Sequence, residues 1–463
     1  MNRRQFLQGA ALAASAPAAA KRPPNIVYIM GDDLGYSDLG CYGQKKIRTP
    51  NIDRLAAEGM RFTDAYSGCT VCAPSRSVLM TGLHMGHTTV RSNPGGVPIL
   101  AEDFTVAQML KQAGYATGGF GKWGLGDVGT PGVPWKHGFD RFFGYLHQVH
   151  AHFYYPKYLY DNEKKVALAG NENGKRTTYS HDAIMEQALG FIRASKGRPF
   201  FAYLPVTIPH WELLVPEDSF REYRGKFPEH RFEAGHYAVQ ENPHAAYAAM
   251  ITRLDRDVGR VMSLLKEMGV DDNTLVIFTS DNGGAMRLRG DDFFESYGPF
   301  RGNKQTFYEG GIRVPYIARW PGRIQAGAVS AHPFAFYDFM ATAAEVAGVR
   351  APAKTDGISI APTLFGAGRQ RVHEFLYWEL PPYDGKTGTF PKVDPPQAVR
   401  MGEWKAVRPK ANAPLELYNL KTDIGETRNV AAEHPEVMAK IRAFLKTART
   451  EPLPQRMPEQ SWQ

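Results

Sequence analysis

The chain has few cysteines and, after its first residues, no long hydrophobic run. Its 463 residues include three cysteines, Cys41, Cys69 and Cys72, and so small and odd a number argues against a disulfide framework. No later apolar run reaches the roughly 20 residues needed to cross a bilayer. The sequence therefore predicts a soluble mature protein with neither a disulfide scaffold nor a membrane span.

Runs of like charge are absent, as are internal repeats and ladders of basic residues interleaved with aromatic ones. These absences, with no recognisable nucleic-acid motif, argue against nucleic-acid binding. The net charge of +8 includes Arg3 and Arg4, and the remaining mild excess suits either an anionic substrate or a plain basic surface. Hydrophobic residues at 43% and charged residues at 22% predict an ordinary globular protein with a substantial core.

The N-terminus has the composition of an export signal. Paired Arg3 and Arg4 precede the short apolar run 9–14, and Ala18, Ala19 and Ala20 follow it. A charged start, an apolar middle and a small-residue cleavage site are typical of a signal peptide, and the paired arginines indicate the twin-arginine route. We expect residues 1–20 to be removed and the protein to be periplasmic or secreted.

Four apolar segments of strand length lead into polar residues. They are Asn25–Met30 before Asp32 and Asp33, Tyr115–Phe120 before Lys122, Phe200–Val206 before His210, and Leu275–Thr279 before Asp281 and Asn282. Continuous apolar strands are typical of a parallel α/β sheet buried on both faces. Because ligands bind beyond the carboxyl ends of such strands, the pattern predicts one site built from distant parts of the chain.

The pattern changes after Phe365. Short predicted strands at Phe375–Trp378, Val399–Val407 and Glu416–Leu420, with a helix at Pro435–Thr447, indicate a small α+β module. We therefore divide the chain into a signal (1–20), a catalytic domain (21–365) and a C-terminal α+β subdomain (366–463). Residues 160–176, rich in Asn, Gly and Lys, predict an exposed insertion.

Cys72 lies where a helix is expected to begin. Pro74 suits the first residue of a helix, and this would place Cys72 and Arg76 near its N–H groups, which attract anions. A lone cysteine is more commonly a small core residue, and the spacing of Cys69 and Cys72 also resembles a redox pair. The run Cys72-Ala73-Pro74-Ser75-Arg76, followed by Thr81-Gly82, decides between these readings because it resembles the signature of the type I sulfatases.

That resemblance extends over the mature chain. It is to arylsulfatase-like and N-acetylgalactosamine-6-sulfatase-like members of the alkaline phosphatase superfamily. It implies an α/β fold with a mixed sheet between helices. It also implies that Cys72 is converted after translation to formylglycine, whose hydrate attacks the sulfur of a sulfate ester. A formylglycine-generating maturase would then be a partner of the chain. Substrates of the twin-arginine route are exported already folded.

The acidic residues at two of the predicted strand ends suggest a cation site. Asp32, Asp33, Asp281 and Asn282 are oxygen donors, which favour Ca²⁺ or Mg²⁺ over zinc. Taken alone, Asp32 and Asp33 could equally form a turn with a helix cap. The resemblance implies Ca²⁺, contacted also by the modified residue 72.

The same resemblance assigns the catalytic residues. Arg76, Lys122 and Lys304 would bind the sulfate oxygens, and His210 or Lys304 would protonate the leaving alcohol. A histidine after a proline, such as His210, is often structural, and a lysine such as Lys304 is often a solvated surface residue.

One position departs from the common family pattern. Many sulfatases have Gly-Lys-Trp-His-Leu-Gly where this chain has Gly124 in place of the histidine, so the base usually assigned to the last step is missing. The histidine-rich stretch 147–156 could supply a replacement. Gln148, His150 and His152 are the candidates for lining the substrate pocket, although a polar loop with structural histidines would have the same composition.

The sequence thus predicts a Ca²⁺-dependent hydrolase of sulfate monoesters, acting on a sulfated small molecule or carbohydrate. A phosphate or phosphonate monoesterase on the same scaffold is the alternative enzyme. A non-catalytic glycan-binding protein that kept the fold is the alternative outside enzymes.

Overall fold

The predicted strand at the start of the mature chain is the centre of the observed fold. The structure, a computed structural model, describes residues 22–286 and 290–455, so the predicted signal peptide lies outside the described residues. Strand β1 (Asn25–Gly31) is buried along its whole length. Its side chains alternate between two hydrophobic clusters, Ile26, Tyr28 and Met30 on one face and Val27 and Ile29 on the other. Burial on both faces explains why this segment is continuously apolar.

The main sheet has ten strands, in the order β11-β2-β10-β9-β1-β8-β4-β5-β6-β7. The remaining nine are β2 (Met60–Phe62), β4 (Ala116–Lys122), β5 (Arg141–Tyr145), β6 (Tyr158–Asp161), β7 (Lys164–Ala167), β8 (Phe200–Pro205), β9 (Thr274–Ser280), β10 (Tyr316–Arg319) and β11 (Ala328–Ser330). Strands β9, β1, β8, β4 and β5 are parallel neighbours, whereas β10 and β6 pair antiparallel at the two sides. The mixed α/β sheet implied by the resemblance is confirmed.

Helices cover both faces of this sheet. They are α1 (Pro50–Ala57), α2 (Cys72–Thr81), α3 (Val106–Gln112), α4 (Ser180–Ala194), α5 (Glu217–Phe220), α6 (Pro243–Glu267), α7 (Glu309–Ile312), α8 (Asp338–Ala347) and α9 (Ala361–Phe365). Helices α2, α3 and α8 pack together on one face, and α1, α4, α5 and α6 on the other. Within the described residues, no helix combines the length and the apolar character that a membrane span requires.

A small antiparallel sheet follows the main domain. Its strands are β13 (Leu376–Glu379), β14 (Gln397–Met401), β15 (Trp404–Arg408) and β16 (Glu416–Asn419), and helix α10 (Pro435–Leu445) packs on it. A two-stranded sheet is formed earlier by β3 (Ala65–Tyr66) and β12 (Phe334–Ala335). The predicted α+β module is therefore present, while the boundary at residue 365 stays a prediction.

Two local predictions need correction. Helix α2 begins at Cys72 and not at Pro74. A proline is tolerated in the first turn because the N–H groups there have no intrahelical acceptor. Residues 160–176 are only in part an exposed insertion, because β6 and β7 form a hairpin that extends the edge of the main sheet.

Candidate active site

Four neighbouring parallel strands deliver the predicted site residues to one edge of the sheet. Asp32 and Asp33 follow β1, Asp281 and Asn282 follow β9, and Lys122 ends β4. His210 comes five residues after β8. The carboxyl ends of these strands lie side by side, which brings together residues that are up to about 250 positions apart in the sequence.

Three carboxylates and one amide form the floor of the site. The backbone N–H of Asp33 donates to Asp281 Oδ1 at 3.1 Å, and Asn282 Nδ2 donates to Asp33 Oδ1 at 2.7 Å. Asp32, Asp33, Asp281 and Asn282 are at most 1% exposed. Asn282 Oδ1 is buried without a hydrogen-bond partner. An unpaired buried carbonyl oxygen is costly, and together with the carboxylates it offers the donor type that a hard cation binds.

The side chain of Cys72 lies directly against this floor. Its Sγ is 3.4 Å from Asp32 Oδ1 and 3.9 Å from Asp33 Oδ1. As the first residue of α2, Cys72 lies at the positive end of the helix, beside the backbone N–H groups of its first turn. Cys41, Cys69 and Cys72 are all free thiols, so the structure contains no Cys69–Cys72 disulfide.

Three cationic side chains surround the carboxylates. Lys122 Nζ donates to Asp32 Oδ2 at 2.7 Å, and Lys304 Nζ donates to Asp33 Oδ2 at 2.7 Å. Arg76 donates to Asp281 Oδ2 from Nη2 at 2.8 Å and from Nε at 3.2 Å. Its third contact, from Nη1 to the carbonyl oxygen of Lys122 at 2.5 Å, ties the helix to strand β4. The guanidinium is thus fixed at three points.

The ionisation of the carboxylates follows from these contacts. Burial opposes ionisation of Asp32, but Lys122 and other nearby cations hold its pKa well below the usual value. Burial raises the pKa of Asp33 despite Lys304, and burial with the nearby Asp32 raises the pKa of Asp281 to about 6. Carboxylates crowded together resist simultaneous ionisation unless a cation neutralises them.

His210 and Lys304 meet above Asp33. His210 Nε2 is 3.2 Å from Asp33 Oδ2 and 3.4 Å from Lys304 Nζ, and Lys304 Nζ is also 3.5 Å from Cys72 Sγ. Burial and the charge of Lys304 lower the pKa of His210 well below its usual value. Burial would lower the pKa of Lys304, but Asp33 and Cys72 raise it well above 10.5. In this arrangement the lysine holds the proton and the imidazole is neutral.

Rings are stacked from His210 to the surface. The rings of His210 and His152 are 4.6 Å apart and 16° from parallel, and His152 and exposed His236 are 5.1 Å apart and 5° from parallel. His152 Nδ1 lies 3.0 Å from His236 Nε2 and 3.2 Å from the Tyr237 hydroxyl oxygen. Burial and the nearby His210 lower the pKa of His152 well below 6.5.

A cavity of about 170 Å³ opens over these groups. Its lining residues are Asn93, Gln148, Val149, His152, His210, Trp211, Tyr237, Lys304 and Gln305. Of the three residues predicted to line the substrate pocket, the structure places Gln148 and His152 at this cavity but not His150. The His150 ring packs instead against Tyr145 and Tyr158, at 5.0 and 4.8 Å between ring centroids.

Sequence reasoning missed Asn93, Trp211 and Tyr237. Trp211 directly follows His210 and could have been found from that adjacency. Asn93 and Tyr237 lie in irregular loops, where neither periodicity nor a strand end marks a residue as part of a site.

Comparison with known proteins identifies the family of the chain. The model of the Sulfatase family matches residues 24–349, and the model of the N-sulphoglucosamine sulphohydrolase C-terminal region matches residues 297–451. Arylsulfatase A of Homo sapiens is 35% identical, covering 93% of this chain and 89% of that protein. N-acetylgalactosamine-6-sulfatase of Canis lupus familiaris is 33% identical, covering 84% and 72% respectively.

A solved structure extends the likeness to the fold. The crystal structure of Ps i-CgsB in complex with k-i-k-neocarrahexaose aligns with a TM-score of 0.79 and 29% identity, covering 95% of this chain and 96% of that one. A family match over more than half of the chain, with relatives above 30% identity, establishes the relationship. This chain belongs to the sulfatase family, the type I sulfatases of the alkaline phosphatase superfamily, and is a sulfuric ester hydrolase.

Proposed function

We propose that this sulfatase removes sulfate from a sulfated carbohydrate, using a formylglycine made from Cys72 as nucleophile and a Ca²⁺ ion bound beside it. The observation that carries the proposal is the position of Cys72, whose Sγ lies 3.4 Å from Asp32 Oδ1 and 3.5 Å from Lys304 Nζ at a helix N-terminus. An oxygen at that point would face the metal-ligand set and a cation together. Those are the groups that stabilise a sulfuryl group under attack.

The donor set fits a hard divalent cation. Asp32, Asp33 and Asp281 supply carboxylate oxygens, and Asn282 supplies a buried carbonyl oxygen without a partner. Ca²⁺ prefers such all-oxygen sites. We assign these four residues and the modified residue 72 as its ligands. When bound, the ion would act as a Lewis acid toward the sulfate oxygens.

Charge balance supports the same assignment. The three carboxylates of the floor are matched by three cationic side chains, those of Arg76, Lys122 and Lys304. A divalent cation among the carboxylates would leave the cluster with an excess of positive charge, which an anionic sulfate ester complements. Lys122 and Lys304 would then contribute N–H donors to the sulfate oxygens.

The thiol of Cys72 is itself a poor nucleophile in these surroundings. Burial raises its pKa well above the usual value, although Lys122 and Lys304 oppose the shift. A protonated thiol does not attack, which supports the role of Cys72 as a precursor. The hydrated formylglycine would supply the attacking oxygen. Because Cys72 is fully buried, we expect the maturase to act before the chain folds.

His210 and Lys304 would deliver a proton to the leaving alcohol. Both line the cavity and lie 3.4 Å from each other. Because Asp33 and Cys72 hold the pKa of Lys304 well above its usual value against the effect of burial, this lysine would carry the proton and His210 would orient it or relay it. A positioned acid contributes roughly 10²–10⁴ in rate, most for poor leaving groups.

Gln148 and His152 would take the place of the missing histidine at position 124. Gln148 Oε1 is buried without a hydrogen-bond partner and lies 2.6 Å from where a Cβ on Gly124 would be. An amide oxygen can accept a hydrogen bond from a hydroxyl group on residue 72 but cannot take its proton. His152, a neutral imidazole on the same cavity, would accept that proton.

A carbohydrate substrate is supported by the cavity and by the relatives. The rings of Trp211 and Tyr237 lie at 88° to each other with centroids 6.0 Å apart, at the cavity lining. Such rings offer apolar faces beside polar groups, an arrangement suited to a sugar. Relatives of this chain are named for N-acetylgalactosamine-6-sulfate or were solved with a neocarrahexaose. Export by the twin-arginine route would place the enzyme in the periplasm or outside the cell.

The test is turnover of matched esters by protein produced together with a formylglycine-generating enzyme. We expect sulfate esters of sugars to be hydrolysed in preference to the corresponding phosphate esters, with loss of turnover in Cys72→Ala. A preference for the phosphate or phosphonate ester would favour the alternative monoesterase. Binding of a sulfated sugar without turnover, unchanged in Cys72→Ser, would identify a glycan-binding protein instead.

A further inference from the structure

Asn93 connects the cavity to the residue next to the nucleophile. It lines the cavity, and its Oδ1 accepts a hydrogen bond from the backbone N–H of Ala73 at 3.2 Å. This bond fixes which way the amide is turned, because an N–H can pair only with the oxygen end. The Nδ2 end, with its two N–H donors, is therefore the end turned away from α2. A donor at this place can bind an oxygen of a molecule in the cavity.

The loop that carries Asn93 has no regular secondary structure of its own. Residues 88–98 belong to neither a helix nor a strand, so the loop is held by side-chain contacts. Ser92, the preceding residue, is 2% exposed. Its hydroxyl donates to Gln455 Oε1 at 2.6 Å, and Gln455 Nε2 donates to the carbonyl oxygen of Thr89. One glutamine from the C-terminal segment thus bridges two points of the loop.

Gln455 is itself fixed in place. It is 4% exposed although Leu453, two residues earlier, is 55% exposed. Its backbone N–H donates to the Gly388 carbonyl oxygen at 2.7 Å, and its carbonyl oxygen accepts from the Tyr383 hydroxyl at 2.5 Å. A buried polar side chain at the end of an exposed segment is retained only when its hydrogen bonds are satisfied, as they are here.

A second contact holds the same loop one residue earlier. Arg91, 2% exposed, donates from Nη1 to the Thr450 carbonyl oxygen and from Nη2 to Thr450 Oγ1, both at 2.8 Å. Arg91 Nη1 is also 3.4 Å from Glu379 Oε1, and Arg449 Nε is 2.7 Å from Glu379 Oε2. The segment 449–455 therefore contacts both residues that precede Asn93 in the chain.

We propose that Asn93 binds an oxygen of the sulfated substrate through Nδ2, and that the C-terminal segment 449–455 positions it through Arg91 and Ser92. The proposal rests on the function proposed above, because it places the substrate in the cavity beside residue 72. Gln455 is a positioning residue, since it contacts Ser92 and Thr89 and lies outside the cavity lining. The C-terminal subdomain thus acts on the substrate site from outside the cavity, through the loop that carries Asn93.

A double-mutant cycle tests this coupling. Asn93→Ala is expected to raise KM for the sulfate ester about 5- to 20-fold, the worth of one or two hydrogen bonds, with kcat changed less than threefold. Gln455→Ala is expected to raise KM in the same direction by a smaller factor. In the Asn93→Ala background, Gln455→Ala should have no further effect on KM, because the two residues act through one contact. Multiplicative effects would overturn the proposal.

Two further variants and one independent readout keep the test decisive. Ser92→Ala removes the same hydrogen bond from the other side and should reproduce the effect of Gln455→Ala. Leu453→Ala, on the exposed part of the segment, should leave KM and the melting temperature unchanged.

Hydrogen exchange of peptides containing Ala73 and residues 84–96 should quicken in Gln455→Ala. This readout does not need turnover. If wild-type enzyme hydrolysed no sulfate ester but the exchange still quickened, the proposed function would fail and the positioning role would stand. Unchanged exchange and unchanged KM would overturn the positioning role alone.

Discussion

Gln148 fills the space that a side chain at position 124 would need. An ideal Cβ on Gly124 would lie 2.6 Å from Gln148 Oε1, and Gly124 has a φ of +77°. The left-handed backbone costs a residue other than glycine about 1–2 kcal/mol. A side chain at position 124 would therefore meet both a clash with Gln148 and an unfavourable backbone conformation.

We expect Gly124→His, which restores the more common family residue, to impair this enzyme. The imidazole would displace Gln148 and strain the backbone, so kcat/KM should fall about tenfold or more and the melting temperature should drop. Replacing Gln148 with alanine in the Gly124→His background should recover part of the activity. A single Gly124→His variant as active as wild type would show that Gln148 has no part in the site.

Removal of the metal should abolish turnover and lower stability. Chelation is expected to lower the melting temperature, and added Ca²⁺ should restore both activity and stability, because an ion held by ligands that only the folded state brings together would stabilise that state. Asn282→Ala should weaken Ca²⁺ affinity about 10- to 100-fold, measured by calorimetric titration. Asp272→Asn, at an exposed position of the short 3-10 helix Asp271–Asn273, is the matched control. Equal affinity in wild type and Asn282→Ala would place the ion elsewhere.

The role proposed for His210 in protonating the alcohol predicts a dependence on the leaving group. His210→Ala should reduce kcat about 10²-fold or more for an unactivated sugar sulfate. For an aryl sulfate whose phenol leaves unprotonated, the loss should be several times smaller. Rates measured for both esters with wild type, His210→Ala and Lys304→Ala separate acid catalysis from binding. Equal losses for the two esters would show that His210 does not assist the leaving group.

Sequence reasoning found the residues of the site that follow strands. The apolar strand β1 and its two aspartates form a local pattern, and the same holds for β9 with Asp281 and Asn282. The parallel order of these strands then places them together. The loop residues Asn93 and Tyr237 could not be found this way, because their positions depend on long-range contacts such as that of Ser92 with Gln455.

Two predictions that differ from the structure, the start of α2 and the position of His150, have similar explanations. Local preference identified Pro74 as the first residue of the helix, but the helix begins two residues earlier, at Cys72. From composition alone, His150 and His152 were equal candidates for lining the substrate pocket. The short helical turn 150–152 turns one ring toward Tyr145 and the other toward His210, and periodicity did not reveal that turn.

A buried ion cluster next to the C-terminal sheet predicts a pH-dependent stability. Glu426 Oε1 is 3.0 Å from Lys405 Nζ, and Glu426 Oε2 accepts from the backbone N–H of Glu309 at 2.6 Å. Burial raises the pKa of Glu426 from 4.5 to about 7. The nearby Glu309 adds to this rise, and Lys405 opposes it. Between these pH values the folded state binds a proton that the unfolded chain has released, so this group makes the free energy of unfolding fall as pH rises from 4.5 to 7.

Glu426→Gln should remove that decline, because glutamine does not titrate. We expect the difference in unfolding free energy between pH 4.5 and 7.5 to change by on the order of 2 kcal/mol relative to wild type, measured by urea denaturation. Glu433→Gln, at an exposed position, should leave the pH dependence unaltered. An unchanged slope in Glu426→Gln would show that Glu426 ionises normally in the folded protein.

The state of residue 72 in active enzyme tests the central claim most directly. Protein produced with a formylglycine-generating enzyme would be digested, and the peptide containing residue 72 would be weighed alongside a sulfatase assay of the same sample. We expect a mass about 18 Da below that of the cysteine peptide, consistent with formylglycine, in proportion to the activity. Unmodified cysteine in a sample that hydrolyses sulfate esters at full rate would contradict it.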